Sequence, residues 1–230
     1  ELDGQLRFAT PDNKEFIGYE SPTPLFADNA IFASFGNGVV SRFSVDGTRE
    51  WSVWLGEPHT PMHGYPFGTS ASPVMADGVL VIGFGHLTGL DPKTGTLKWQ
   101  TPRPFDDFGT PAVAVVDGVA VVVTADGQVV RAGDGLVVGK DIAEICYIGP
   151  HARGNRVWFI GMCAERDTGG EVGAVAFELA WESPDQIAVT QRWRTGLKTN
   201  DRFYTTPVVH NGLVFVITRN GEMWALRDDD

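Results

Sequence analysis

The phrase Leu90-Asp91-Pro92-Lys93-Thr94-Gly95-Thr96-Leu97-Lys98-Trp99 returns in weaker copies along the chain, and a recurring phrase restricts the fold to architectures built from repeated units. Asp46-Gly47-Thr48-Arg49-Glu50-Trp51 is one copy, Asp3-Gly4-Gln5-Leu6-Arg7-Phe8 another with Phe in place of Trp, and Ala225-Leu226-Arg227-Asp228 a copy cut short. A second phrase precedes each: Thr or Ser, then Pro, apolar residues, a turn pair and an apolar run. It stands at Thr23-Pro24, Ser72-Pro73, Thr110-Pro111 and Thr206-Pro207. From Pro24 to Trp51 is 27 residues, from Pro73 to Trp99 is 26, and from Pro73 to Pro111 is 38. That spacing suits a propeller with one four-stranded blade per repeat.

Turn chemistry supports β-structure throughout. Asp28-Asn29, Asp77-Gly78, Asp117-Gly118, Gly154-Asn155 and Asn211-Gly212 mark a first hairpin in each unit, and Asn37-Gly38, Asp126-Gly127 and Asn220-Gly221 mark a second. Strands are expected at Ser72–Met75, Val79–Phe84, His86–Asp91 and Thr96–Gln100 in the second unit, and helical periodicity is nearly absent. The expectation is an all-β chain, a single β-propeller domain over residues 1–230 with about five blades, set inside or apart from a larger ring. Units start near Pro24, Pro73, Pro111 and Pro150, and a last one from Pro207 stops after its third strand. Pairing of residues 3–8 with Glu222–Leu226 would close five blades and remove an open edge. A start in mid-repeat favours the alternative, a fragment of a larger ring.

The phrases resemble the repeats of the pyrroloquinoline-quinone-like (quinoprotein-type) β-propellers, most closely at Gly89-Leu90-Asp91-Pro92-Lys93-Thr94-Gly95-Thr96-Leu97-Lys98-Trp99. The third unit keeps the turn at Arg131-Ala132-Gly133-Asp134-Gly135 without a following Trp. The fourth is enlarged between Ala164 and Gln191 before Gln191-Arg192-Trp193. The resemblance implies that Trp51, Trp99 and Trp193 wedge between blades as structural docking residues. A large flat ring at a fixed point of a repeat suits that role.

Composition narrows the function. The 18 basic and 29 acidic residues give a net charge of −11, which repels a phosphate backbone and argues against nucleic acid. No apolar stretch reaches the length of a membrane span, and the N-terminus lacks a secretion-signal pattern. The localisation expected for such a propeller is periplasmic or extracellular. Cys146 and Cys163 are the two cysteines, expected in the paired strands Ile145–Ile148 and Arg156–Cys163; their offset favours two buried free thiols over a disulfide.

Recognised catalytic spacings are absent: no Gly-x-Ser-x-Gly, no Cys-x-x-Cys, no phosphate-binding glycine loop and no His-Glu-x-x-His. His59 and His63 lie close together, but two histidines near Glu57 are too few for a closed zinc site, and Asp106-Asp107 lacks the spaced oxygens of a calcium loop. No metal is assigned. His86, His151 and His210 read as structural. The connections between blades should gather at one mouth of the channel, so His59, His63, Tyr65, Asp106, Asp107, Phe108, Lys198, Asp201, Arg202 and Tyr204 are the ligand-binding candidates.

The reading that follows is a non-catalytic scaffold presenting these loops to a protein partner or small ligand, with no cofactor. The alternatives are a quinone-dependent oxidoreductase, or a fragment of one, and a sugar-cleaving propeller with paired carboxylates. The resemblance implies adjacent cysteines in quinone-dependent alcohol dehydrogenases, and this sequence lacks that pair. Tight binding of the quinone and alcohol or sugar dehydrogenase activity are therefore not expected.

Overall fold

In the computed structural model, which describes residues 22–56, 70–105, 108–161, 172–199 and 201–228, the turn pairs of the sequence fold the chain into hairpins. Asp28, Asn29, Asp77, Gly78, Asp117, Gly118, Asn211 and Gly212 all have φ between 47° and 82°. Two-residue loops of this hand match the right-handed twist of the strands they join. Nothing helical occurs among the described residues.

Blade 1 comprises β1 Leu25–Ala27, β2 Ala30–Ser34, β3 Val39–Ser44 and β4 Arg49–Trp54, antiparallel in chain order. Blade 2 comprises β5 Val74–Ala76, β6 Val79–Leu90 and β7 Leu97–Phe105. Here the strands expected over Val79–Phe84 and His86–Asp91 form one element. Gly85, at φ 64°, redirects the chain, so Val79–Val81 pair with β5 while residues from Gly85 onward pair with β7. Blade 3 is β8 Ala112–Val116, β9 Val119–Val123, β10 Val129–Arg131 and β11 Val137–Gly139, and blade 4 is β12 His151–Arg153, β13 Arg156–Ile160, β14 Val172–Ser183 and β15 Gln186–Leu197. Blade 5 has three strands, β16 Val208–His210, β17 Leu213–Ile217 and β18 Met223–Arg227, as the repeat count predicts. Residues 3–8, on which closure of the ring turns, lie outside the described residues.

One expectation fails. Ile145–Ile148 is not the first strand of blade 4 but part of the connection leading to it; β12 starts at His151. Its β-branched residues serve burial, with Ile145 and Ile148 packed into the core of blades 3 to 5. Cys146 is disulfide-bonded, which corrects the expectation of free thiols at this residue; Cys163 lies outside the described residues.

Strands in the middle of the arc are buried on both faces, which is why they read as continuous apolar runs. Along β6, Leu80 and Ile82 pack with Phe32 and Val40 of blade 1, while Val79 and Val81 pack with Val122 and Val130 of blade 3. Blade 5 alternates instead: Val214 and Val216 face blade 4, whereas Val208, Ile217 and Met223 are exposed.

The repeated Trp joins blades by one rule. Trp51 Nε1 donates to the carbonyl of Pro92 at 3.2 Å, Trp99 Nε1 to that of Ala132 at 2.9 Å, and Trp193 Nε1 to that of Asp228 at 3.2 Å, each acceptor lying at the outer-strand end of the next blade. The glycines of the phrase make room for the ring. A Cβ on Gly95 would come within 2.9 Å of Trp51, and one on Gly135 within 2.6 Å of Trp99. Trp99 and Trp193 are buried, while Trp51 is partly exposed, less enclosed than its role suggests. Asp91 shapes the turn by accepting from the backbone N–H groups of Lys93 and Thr94, each at 2.9 Å.

Blade 3 has no such Trp, and blade 4 supplies the substitute. Its hairpin runs past the inner strands, and from β14 Trp181 Nε1 donates backward to the carbonyl of Val116 at 3.1 Å. Arg131, held by Asp134 at 2.6 Å, also donates to the carbonyl of Pro184 at the hairpin tip, again at 2.6 Å.

Candidate functional site

Three connections between blades meet on one side of the arc. The first, between blades 2 and 3, carries Phe108; the second, between blades 3 and 4, carries Tyr147; the third, between blades 4 and 5, carries Lys198, Asp201, Arg202 and Tyr204.

The first two connections touch backbone to backbone. A Cβ on Gly109 would collide with the main chain at Ile148 and Gly149, and one on Gly149 with the main chain of Thr110, so glycine is required on both sides. Ser70 Oγ donates to the carbonyl of Phe108 at 3.1 Å. The second connection rides on the β9–β10 turn, with Ile142 N donating to the Gly127 carbonyl at 3.3 Å and Ile145 N to the Ala125 carbonyl at 3.0 Å.

The third connection is fastened to blade 5. Asp201 is buried, and its Oδ2 accepts from the backbone N–H of Asn220 at 2.7 Å, while Arg219 Nε lies 3.4 Å from Oδ1. Arg219 N donates to the Arg202 carbonyl at 2.8 Å, and Phe203 bridges to Thr218. Burial alone would push the Asp201 carboxyl up. Hydrogen bonds from the backbones of Arg202 and Asn220 and from the Thr218 hydroxyl, with the charge of Arg219, outweigh it and hold the carboxyl below its usual range. Asp201 is thus an internal clamp rather than a ligand group.

On this frame sits an aromatic cluster around Tyr147. Phe108 stacks on the Tyr147 ring at 6.3 Å and 18°, and Tyr204 meets it edge-on at 5.5 Å and 69°. The Arg202 guanidinium lies 5.2 Å from the Tyr147 centroid and 3.5 Å from the Tyr204 hydroxyl. Rings at such distances attract through their quadrupoles, and a guanidinium over a ring adds a cation–π term. Arg202 and Tyr204 are exposed, so the cluster offers solvent a cation, a phenol and aromatic edges.

Three expected residues, Phe108, Arg202 and Tyr204, therefore come together. Lys198 is exposed nearby in sequence, with no contact to the cluster described. His59, His63, Tyr65, Asp106 and Asp107 lie outside the described residues. Tyr147, the centre of the cluster, was missed because its β-branched neighbours read as a strand; its place after a cysteine in a connection was the only signal. His86 is structural, donating from Nδ1 to the Thr101 carbonyl at 2.9 Å.

The cluster can stack and can accept and donate hydrogen bonds, but among the described residues it pairs no nucleophile with a base. For the quinone cofactor that the repeat resemblance implies, the described residues supply no metal site. They contain no group of three or more His, Cys, Asp or Glu able to hold its metal, and Cys146 has no adjacent cysteine.

Comparison with known proteins agrees with the propeller fold. Outer membrane protein assembly factor BamB of Shigella dysenteriae serotype 1 (strain Sd197) is 29% identical over 220 residues, covering 90% of this chain and 54% of the relative. The protein of that name from Escherichia coli (strain K12) gives the same figures. The chain thus spans about half the length of the curated relatives it matches. Among solved structures, BamB from Moraxella catarrhalis superposes with a TM-score of 0.52 at 17% identity over 89% of this chain and 71% of that one. Quinohemoprotein alcohol dehydrogenase from Comamonas testosteroni superposes at 0.57 with 14% identity over 92% and 43%. These two likenesses establish the propeller fold. Residues 2–158 match the family profile described as outer membrane protein assembly factor BamB, well over half of the 230 residues, and the chain belongs to that family.

Proposed function

We propose that this chain is a non-catalytic propeller that docks to a protein partner through the face built by its inter-blade connections, and that it serves outer-membrane protein assembly on the periplasmic side. The observation that carries the reading is the convergence of Phe108, Tyr147, Arg202 and Tyr204 from three separate connections onto one surface. Aromatic rings and arginine are the side chains over-represented at the centres of protein interfaces. Rigid blades hold them in place, so little order has to be created on binding. The relatives named as outer membrane protein assembly factors support the setting.

The test is complementation in the source organism. Loss of the protein should lower the amount of folded outer-membrane β-barrel protein, the wild type should restore it, and Arg202→Ala with Tyr204→Ala should not, at equal expression. Full restoration by the double variant would refute the docking face. A photo-crosslinker at Tyr204 should capture an assembly component that one at Thr190, exposed on the outer strand of blade 4, does not.

A further inference from the structure

Two unusual features are adjacent at the centre of the cluster. Tyr147 has φ 69°, a left-handed conformation that Asn and Asp adopt readily in turns but that is rare for a bulky side chain and persists where its surroundings hold it. Its neighbour Cys146, only 7% exposed, is disulfide-bonded. On the other side Ile148 is buried in the core, and before Cys146 the Ile145 amide is tied to Ala125. The crosslink at Cys146, the Ile145 amide bond and the buried Ile148 together bracket the one short stretch of backbone from which the Tyr147 ring projects between Phe108, Arg202 and Tyr204.

We infer that oxidation of Cys146 is the step that assembles the aromatic face, so that the chain presents it only in an oxidising compartment. In forming the bond, the thiol of Cys146 and a second cysteine thiol lose two protons and two electrons to a disulfide-bearing oxidant, which leaves as its dithiol. Without the crosslink the left-handed conformation at Tyr147 relaxes, its ring leaves the stack, and Arg202 and Tyr204 lose the surface they rest on. The blades persist, because their packing and their Trp contacts do not pass through Cys146. The consequence for docking rests on the reading proposed above; the structural step does not.

The experiment compares the oxidised protein with protein reduced by dithiothreitol and alkylated, complete reduction being confirmed by the mass of two added groups on the two cysteines. Both are treated with tetranitromethane, and nitration is read by residue. Nitration of Tyr147 is expected to rise at least about five-fold on reduction, with faster hydrogen exchange over residues 145–148 and 201–204 and unchanged protection in β13 and β14, the pattern of a local opening. Cys146→Ser should reproduce it without reductant. Unchanged Tyr147 reactivity in the fully alkylated protein or in Cys146→Ser overturns the inference, as does loss of the whole β signal on reduction. If Tyr147 responds but Arg202→Ala with Tyr204→Ala still complements, the docking reading fails and the redox step stands. If that double variant fails to complement and Tyr147 ignores the redox state, docking stands and this inference falls.

Discussion

Trp99 is seated so tightly that its contribution can be separated from that of its seat. The ring lies between Gly89, its cross-strand partner on β6, and Gly135 in the β10–β11 turn of blade 3; neither has room for a Cβ. Trp99→Ala removes a ring that is 8% exposed and strips the Ala132 carbonyl of its donor, which should cost about 3–5 kcal/mol. Gly135→Ala acts from the other side. Its methyl would arrive 2.6 Å from the ring, an overpacking penalty of about 1–3 kcal/mol, on a backbone at φ 75° where a side chain adds about 1–2 kcal/mol. Without the ring the methyl enters empty space, so in the Trp99→Ala background only the backbone part of the Gly135→Ala penalty remains. The double variant should be more stable than the sum of the singles implies, by about 1–3 kcal/mol. Urea unfolding followed by far-UV circular dichroism measures all four proteins. Additivity within about 0.5 kcal/mol would refute the claim that Gly135 exists to receive Trp99.

Trp181→Phe keeps the packing of the long hairpin but removes its donor to Val116, and should cost about 1 kcal/mol with the loss concentrated in blades 3 and 4 by hydrogen exchange. Asp228→Ala removes the acceptor of Trp158 Nε1 at 2.7 Å and the partner of Arg156 at 2.9 Å, leaving an indole N–H in a fully buried ring; about 2–3 kcal/mol should be lost, with Asn recovering part of it. Because the folded state holds Asp201 below the ordinary aspartate value, its carboxylate contributes stability above about pH 4 that disappears as the pH falls through the folded-state value. The protection of the Asn220 amide, measured against its intrinsic exchange rate at each pH, should therefore fall below that pH in the wild type, and Asp201→Asn should remove the acid dependence while loosening the connection at neutral pH.

The fold was legible because its two main devices are written in local sequence. Asn, Asp and Gly at turn centres announce left-handed residues, and hairpins stand at each of the five first-turn pairs. The docking phrase was legible as a repeat, but its meaning is relational: Gly95 belongs to Trp51, and Gly135 to Trp99, each pair spanning two blades. Nothing in either residue's own neighbourhood states that partnership. Blade 3 shows the limit most clearly, since the missing Trp is visible in sequence whereas its replacement by Trp181, reaching back from the next blade, depends on how far a hairpin extends.

The site divides along the same line. Position was readable, because connections between blades have to cross at the ends of the strands, and three candidates picked on that ground alone do meet. Composition was not, because burial and β-pairing use the same residue types: Ile145 and Ile148 are β-branched and enclosed like strand residues, yet they anchor a loop. A stretch that is apolar at both ends and carries a cysteine and an exposable tyrosine between them is better read as a tethered loop than as a strand, since a strand here would hide the tyrosine against the next blade. By that criterion Tyr147 becomes the residue on which Phe108, Arg202 and Tyr204 converge, and its substitution should disturb docking more than that of any one of them. Tyr147→Phe keeps all three ring contacts and should be tolerated, while Tyr147→Ala, which removes them, should abolish complementation with the blades still folded by circular dichroism; full function in Tyr147→Ala would show that the three outer residues act independently.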